Sequence, residues 1–175
     1  RLMEAGHLEI ITCGATHGYF PLLAVNEESL YAQLSMAVRT HERILGRRPR
    51  GIWLPECGYI PGVDRILNEF GIEFFILDSH GLLNAEPRPR YGVHRPIRTP
   101  GGPAAFARDY ESSKQVWSAE EGYPGDHLYR EFYRDAGFDV HQPHIEKLRH
   151  AGIATFTGLK YHRITGKTAW KEPYH

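Results

Sequence analysis

Residues 72–77 read Ile-Glu-Phe-Phe-Ile-Leu, a nearly continuous apolar run that decides the fold class. Such a run is typical of a strand that is buried on both faces, as the strands of parallel sheets are. Two further runs rich in apolar and β-branched residues precede it, at residues 8–13 and 51–54. We therefore expect these three segments to be strands of one parallel sheet.

Two amphipathic helices separate the three strands. In the first, apolar residues recur at spacings of three and four up to Leu45, with Asn26 as the expected N-cap and Gly46 as the expected terminating glycine. The second covers residues 63–70 and is closed by Gly71. The order strand, helix, strand, helix, strand predicts an α/β fold in which crossover helices join parallel strands.

Residues that can carry chemistry follow each of the three strands directly. The segments 14–17, 55–58 and 78–81 each supply a histidine or a carboxylate beside a glycine. The carboxyl ends of parallel strands lie on one face, and α/β proteins bind their ligands there. We therefore expect these three segments to form one site.

Each candidate in or directly before these segments has a functional and a structural interpretation. Glu56 is either a catalytic carboxylate, of the kind that glycoside chemistry uses in pairs, or part of a structural ion pair. His17 is a ligand-binding residue, a metal ligand or a packing residue of its loop. Trp53 either stacks on a sugar or belongs to the core. Asp78, together with His80, either contacts a ligand or caps a turn.

The remainder of the chain has weaker signals. Residues 85–103 contain five prolines and are expected to form a long loop, whereas residues 104–107 are expected to form a short strand. Residues 120–126 are a second expected loop. Two short helices are predicted after it: residues 128–135, with Leu128 and Phe132 facing inward, and residues 145–150, closed by Gly152.

The composition excludes several classes of protein. Lysine plus arginine and aspartate plus glutamate each number 21, so the formal net charge is zero. A nucleic-acid binder or a polybasic membrane-surface protein needs an excess of cations. No stretch approaches the roughly 20 apolar residues of a membrane span, and no signal peptide is recognisable, so a cytoplasmic location is expected. Cys13 and Cys57 are expected to be reduced thiols.

Eleven histidines raise the possibility of a metal site. His141 and His144 have the spacing i, i+3, but Pro143 between them disfavours one regular helix. The sequence contains neither a His-Glu-x-x-His motif nor a Cys-x-x-Cys pair. Nucleotide-binding glycine patterns are missing as well. We therefore expect neither a metal nor another cofactor.

Four runs of sequence resemble glycoside hydrolase family 57, and together they cover essentially the whole chain. They are ITCGATHGYFPLL (residues 11–23), GIWLPECGY (51–59), ILDSHGLL (76–83) and ARDYESSKQVWSAEEGYPGD (107–126). The combination of GATHGY and WLPECGY at this separation is close to a signature of the family. The runs look most like its 1,4-α-glucan branching enzymes.

The resemblance implies an incomplete (β/α) barrel of seven parallel strands. Residues 1–175 would be its central part, without the family's N-terminal strand and C-terminal helical region. The glutamate of the WLPE motif, here Glu56, corresponds to the catalytic nucleophile. The histidine of GATH, here His17, lines the donor subsite, and Trp53 matches the motif's tryptophan. A tyrosine-bearing loop over the active site is matched to residues 120–126, which makes Tyr123 a substrate contact beside Asp78 and His80.

The function implied by the resemblance is retaining transglycosylation. A segment of α-1,4-glucan is transferred through a glycosyl-enzyme on Glu56 to form an α-1,6 branch. The family's acid/base aspartate lies beyond this chain, so residues 1–175 alone are expected to be inactive. An α-amylase, a 4-α-glucanotransferase, a non-catalytic carbohydrate-binding remnant and a metal-dependent deacetylase-like barrel stay open as alternatives. The sequence carries no signal of oligomeric state.

Overall fold

The computed structural model describes residues 1–141, 143–149, 152–166, 168 and 170–173. The chain divides into two units, Arg1–Asp109 and Tyr110–His175. The strands, all in the first unit, are β1 (Thr12–Cys13), β2 (Gly51–Trp53), β3 (Phe74–Leu77), β4 (Ile97–Arg98) and β5 (Ala104–Ala107).

The helices differ greatly in length. Those of the first unit are α1 (Phe20–Leu23), α2 (Glu27–Leu45), α3 (Val63–Glu69) and α4 (Ser79–Leu83), and those of the second are α5 (Tyr110–Trp117), α6 (Ala136–Asp139) and α7 (Pro143–Glu146). Single 3₁₀ turns occur at Pro55–Cys57, Gly92–His94 and Tyr123–Gly125. No helix formed by the described residues combines the length and the apolar character that crossing a bilayer requires.

The sheet confirms the predicted parallel arrangement. Its strand order is β1-β2-β3-β5-β4, and the first four of these strands are mutually parallel neighbours. Only β4, at one edge, runs antiparallel to its neighbour. Helices α2 and α3 connect consecutive strands, as the alternating pattern predicts. The sheet formed by the described residues has two edges and does not close into a barrel.

The long helix α2 begins and ends where the sequence predicts. The side chain of Asn26 accepts a hydrogen bond from the backbone N–H of Glu28, which satisfies one of the donors exposed at a helix start. At the other end Gly46 has φ 71°, a left-handed conformation that suits glycine. The face carrying Leu34 and Val38 is buried.

One apolar cluster holds the first unit together. It consists of Phe20, Leu30, Leu34, Val38, Ile52, Leu54, Val63, Ile66, Leu67, Ile72, Phe75, Leu77, Leu82 and Ala105. The cluster therefore joins α2, α3 and α4 to the central strands. Burying one side chain of this size stabilises a fold by about 1.5–3 kcal/mol, so the cluster fixes the strand ends that carry the site.

Two strand predictions need correction. Strand β1 contains two residues instead of the six predicted, because pairing with β2 involves only Thr12 and Cys13. In β3, Phe75 and Leu77 are buried, whereas Phe74 and Ile76 are only partly buried. The prediction that this strand is fully buried on both faces is therefore wrong, because the apolar cluster takes up only one side of it.

Several short elements were not predicted, although the strand at residues 104–107 is confirmed as β5. Strand β4 lies inside the expected loop 85–103 and pairs with β5. Helices α1, α4 and α5 had no sequence prediction. They contain at most eight residues, which leaves too few turns for an apolar period to stand out.

The predicted helix over residues 128–135 is wrong. Its backbone pairs with another stretch of the second unit, where the N–H of Glu131 donates to the carbonyl of His162 at 2.8 Å. Such a bond replaces the i to i−4 bond that a helix requires. Leu128 and Phe132, predicted to face inward, are 65% and 77% exposed.

A buried carboxylate organises the second unit. Asp135 is 1% exposed and accepts hydrogen bonds from the N–H groups of Gly137, Thr157 and Gly158, each at 2.9 Å. The Thr157 hydroxyl donates a further bond, and Lys160 Nζ lies 3.7 Å away. Burial alone would raise the pKa of Asp135, but these hydrogen bonds outweigh burial and lower the pKa to about 2.

Helix α7 begins at Pro143, where a proline is tolerated because the first helical N–H needs no partner. It is shorter than the predicted helix 145–150, and His150 lies outside the described residues. His141 precedes the helix and His144 lies within it. Gln142, between them, is also outside the described residues.

Candidate active site

The predicted convergence of strand ends is observed for the residues that follow β1 and β2. Nε2 of His17 lies 2.9 Å from Oε1 of Glu56. The two side chains are 54% and 75% exposed, so both are accessible to a ligand. The structure therefore brings together the two residues that the sequence singles out most strongly.

The loop that carries His17 is held by helix α2. The side-chain amide of Gln33 accepts a hydrogen bond from the backbone N–H of Thr16 at 2.9 Å and donates one to its hydroxyl at 2.7 Å. The N–H of His17 donates to the carbonyl of Gly14, which tightens the turn. A Cβ on Gly14 would lie 3.0 Å from the Phe20 ring, so glycine permits the close packing beneath the loop.

Glu56 is presented by the 3₁₀ turn Pro55–Cys57. The turn is closed by hydrogen bonds from the N–H of Cys57 to the carbonyl of Leu54 and from the N–H of Gly58 to the carbonyl of Pro55. Leu54 and Pro55 are buried, whereas Glu56 is exposed. The turn thus anchors the chain on both sides of a carboxylate that faces solvent.

Backbone strain is concentrated at this site. Among the described residues, the non-glycine residues with positive φ are His17 at 56°, Glu56 at 52° and Cys57 at 54°. A left-handed conformation costs a residue with a Cβ about 1–2 kcal/mol, and surrounding structure must hold it there. Strain of this kind accumulates where a fold positions functional groups, and here it coincides with the contact between His17 and Glu56.

The Cys57 thiol lies within electrostatic reach of charged side chains that follow β2, β3 and β5. Burial raises the pKa of Cys57, a hydrogen bond from Arg108 opposes that rise, and the negative charges of Asp78 and Glu56 add to it. The Arg108 guanidinium also lies 5.8 Å from the centre of the Trp53 ring. The carboxyl edge of the sheet therefore combines carboxylates, a cation and an aromatic ring.

The structure also bears on the alternatives for the other candidates of this unit. Asp78 caps helix α4 by accepting a hydrogen bond from the N–H of Ser79 at 2.7 Å, so its capping interpretation is confirmed. His80 lies in α4 and is exposed, while Trp53 is partly buried. Their contacts with a substrate stay predictions.

Tyr123 belongs to the second unit. Its ring centre lies 5.3 Å from that of Tyr129 in a tilted arrangement. Both rings line an open cavity of about 1040 Å³ within that unit, together with Asp126. The predicted position of Tyr123 above the nucleophile stays a prediction.

Two residues of the site carry no functional prediction from the sequence. Arg108 directly follows β5. The expectation that functional residues follow the parallel strands would therefore have indicated Arg108 as well, if it had been extended to the strand predicted at residues 104–107. Cys13, the last residue of β1, lies with its Sγ 3.2 Å from Nδ1 of His17. Both cysteines are free thiols, as predicted.

Comparisons with known proteins identify the family. The sequence profile of glycosyl hydrolase family 57 matches residues 1–175. The chain belongs to this family. A 1,4-alpha-glucan branching enzyme of Thermococcus kodakarensis is 38% identical to this family 57 chain over 161 residues, which cover 77% of the chain and 24% of the enzyme. The chain thus spans about a quarter of that relative's length.

Solved structures agree with the assignment of this family 57 chain. The alpha-amylase AmyC from Thermotoga maritima has a TM-score of 0.84 and 50% identity, covering 99% of this chain and 34% of AmyC. A branching enzyme of the family from Pyrococcus horikoshii has a TM-score of 0.75 and 38% identity, covering 99% of this chain and 32% of the enzyme. The fold is therefore that of family 57 structures, whose catalytic domain is a seven-stranded (β/α) barrel.

The chemistry available at this edge is that of an exposed carboxylate oriented by an imidazole. A carboxylate in this setting serves as a nucleophile or as a stabiliser of positive charge at an anomeric carbon. In the described part of the chain, no three side chains among histidine, cysteine, aspartate and glutamate come together as metal ligands.

Proposed function

We propose that this chain is the central part of the catalytic barrel of a retaining α-glucan branching enzyme, with Glu56 as the nucleophile. The observation that carries the proposal is the contact of 2.9 Å between His17 and Glu56 at the carboxyl edge of the parallel sheet. The relationship to branching enzymes of Thermococcus kodakarensis and Pyrococcus horikoshii supports it. The neutral net charge suits an uncharged polymer as substrate.

The reaction proceeds in two displacements. In the first, an oxygen of Glu56 attacks C1 of a glucosyl unit, the bond from C1 to the glycosidic oxygen breaks, and an acid/base aspartate protonates the leaving 4-hydroxyl. In the second, the 6-hydroxyl of another glucan chain attacks C1, gives its proton to the same aspartate and releases Glu56. Retaining enzymes need these two carboxyl groups about 5–5.5 Å apart.

The aspartate belongs, in this proposal, to a part of the protein outside residues 1–175. General acid catalysis contributes about 10²–10⁴-fold to such a step, so the isolated chain is expected to be inactive. Trp53 offers a partly buried ring for sugar stacking, and His80 and Asp78 lie at the adjacent strand end. Tyr123 is assigned to the loop that excludes water from the glycosyl-enzyme and so favours transfer.

A second candidate, α-amylase activity, is favoured by one observation. The alpha-amylase AmyC shares 50% identity with the chain, against 38% for the Pyrococcus horikoshii branching enzyme. The two activities share the glycosyl-enzyme and differ in whether water or a glucan hydroxyl attacks it. Transfer to a 4-hydroxyl would give 4-α-glucanotransferase activity instead.

The test compares two glutamates in the full-length protein acting on amylose. Glu56→Gln removes the nucleophile and is expected to reduce activity to background, because amide nitrogen and oxygen do not replace a carboxylate in attack. Glu73→Gln is the matched control, since Glu73 is a 57% exposed carboxylate in the same unit that pairs with Arg50.

The products then separate the candidate activities. New linkages that isoamylase cleaves indicate branching, a rise in reducing ends without them indicates hydrolysis, and redistributed linear chains indicate disproportionation. Full activity of Glu56→Gln would contradict the assignment of the nucleophile. An inactive wild-type protein that still binds glucan would support a carbohydrate-binding remnant.

A further inference from the structure

Cys13, His17 and Glu56 form a chain of three side chains in contact. Cys13 Sγ lies 3.2 Å from Nδ1 of His17, and Nε2 of the same ring lies 2.9 Å from Oε1 of Glu56. The imidazole therefore bridges the end of β1 and the turn after β2. The proposed function uses only the second of these two contacts.

The chemistry of the three groups determines where the hydrogens lie. An ionised carboxylate only accepts hydrogen bonds, so the bond to Glu56 requires a hydrogen on Nε2 of His17. In a neutral imidazole with that hydrogen, Nδ1 is an acceptor and needs a donor. Among the described residues, the thiol of Cys13 is a donor within reach of Nδ1, at 3.2 Å.

The state of the Cys13 thiol fits this role. Burial raises the pKa of Cys13, a hydrogen bond from the N–H of Gly14 opposes the rise, and the negative charge of Glu56 adds to it. The net effect keeps the sulfur protonated and able to donate at neutral pH.

We propose that Cys13 is a positioning residue: its thiol donates to Nδ1 of His17, fixes the hydrogen on Nε2, and so holds Oε1 of Glu56. Oε2 is then the oxygen that attacks the anomeric carbon. The inference rests on the proposed role of Glu56 as the nucleophile. Without the thiol, the hydrogen moves to Nδ1 in part of the population, and the carboxylate loses its fixed orientation.

Two variants at Cys13 separate hydrogen bonding from packing. Cys13→Ser keeps a donor, whereas Cys13→Ala removes it and leaves a side chain of comparable size. If Cys13 acts only by packing, the two variants behave alike. If it acts as a donor, serine preserves the arrangement and alanine does not.

The first measurement is the ¹⁵N NMR spectrum of histidine-labelled full-length protein, with the His17 signals identified by their loss in His17→Gln. We expect a protonated Nε2 and an unprotonated Nδ1 in the wild type and in Cys13→Ser, and a mixture of tautomers in Cys13→Ala. Protonation of Nδ1 in the wild type, in a neutral or a cationic ring, would overturn the inference. The wild-type result does not depend on whether either Cys13 variant folds.

The second measurement is the kinetics of the same proteins on amylose. Losing one ordinary hydrogen bond corresponds to about a three- to tenfold fall in kcat for Cys13→Ala, with KM unchanged and most of kcat retained in Cys13→Ser. If Glu56→Gln keeps its activity, the proposed function fails. If Glu56→Gln is inactive while Cys13→Ala has the wild-type kcat, only the present inference fails.

Discussion

The two units of the chain are stabilised by different kinds of interaction. In Arg1–Asp109 a single cluster of buried apolar side chains joins helices and sheet. In the described part of Tyr110–His175, the buried hydrophobic residues are Ala136 and Ile145, while the charged Asp135 is 1% exposed. The first unit therefore depends on apolar burial, and the second on buried carboxylates: Asp135 with its four hydrogen bonds, and Glu131, which is 8% exposed and lies 2.9 Å from Lys171.

The largest expected effect tests whether the first unit depends on its buried apolar cluster. Leu34 is fully buried in the cluster, and Leu34→Ala is expected to destabilise the first unit by about 2–5 kcal/mol, from lost burial plus the cavity left behind. Hydrogen exchange of the full-length protein, resolved by peptide, measures the effect in β2 and β3. Leu22→Ala is the matched control, because Leu22 is 73% exposed.

Unchanged exchange in β2 and β3 of the Leu34→Ala protein would contradict the dependence on the cluster. Equal effects of Leu34→Ala and Leu22→Ala would also contradict it, because exposure would then not matter. The effect of Leu34→Ala is also expected to be confined to the first unit, so peptides from residues 152–166 of the second unit should keep their exchange rates.

The second prediction concerns the buried carboxylate of Asp135 in the second unit. In Asp135→Asn one oxygen of the carboxylate is replaced by an N–H₂ group, which faces backbone N–H donors, and the negative charge is lost. Because a hydrogen bond to a charged group contributes about 1.5–3 kcal/mol, we expect the second unit to lose about 3 kcal/mol. Exchange at Gly137, Thr157 and Gly158 reports this loss. Asp126→Asn is the control, since the Asp126 side chain is 41% exposed.

The same substitution has a pH dependence whose sign follows from the pKa. Folding lowers the pKa of Asp135 from 3.8 to about 2, so the unfolded chain binds the proton more readily. The stabilisation is fully present above pH 3.8 and is lost as the pH falls towards 2. The difference between wild type and Asp135→Asn should therefore shrink over that window, and a constant difference would refute the electrostatic explanation.

The comparison also explains which elements were predictable from sequence. Helix α2 was predicted almost to the residue because Asn26, the apolar period and Gly46 are local signals. The segment 128–135 was misassigned because the bond from Glu131 to His162 joins residues that are far apart in the chain. The hydrogen bonds to Asp135 likewise come in part from Thr157, which is distant in the chain. Such hydrogen bonds produce no periodic pattern in the sequence.

The candidate site likewise has features that the sequence predicts and features that it does not. Placement of His17 and Glu56 on one face followed from the alternation of strands and helices. Their contact of 2.9 Å depends on the left-handed conformations of both residues and on the hydrogen bonds between the Gln33 side chain and Thr16. Neither feature has a sequence period. The link to Cys13 required the same tertiary information, because its spacing of four residues from His17 alone predicts no contact in a loop.

The smallest expected effect concerns the two ion pairs that Arg65 makes at the surface of the first unit. Arg65 lies 2.6 Å from Glu27 and 2.7 Å from Glu69, closer than Lys160 lies to Asp135. All three side chains are about half exposed, so water screens the attraction and the pairing contributes little. Arg65→Gln is therefore expected to leave exchange in α3 within the scatter of replicates. A loss as large as that of Asp135→Asn would mean that charge pairing stabilises both units, and the contrast between them would not hold.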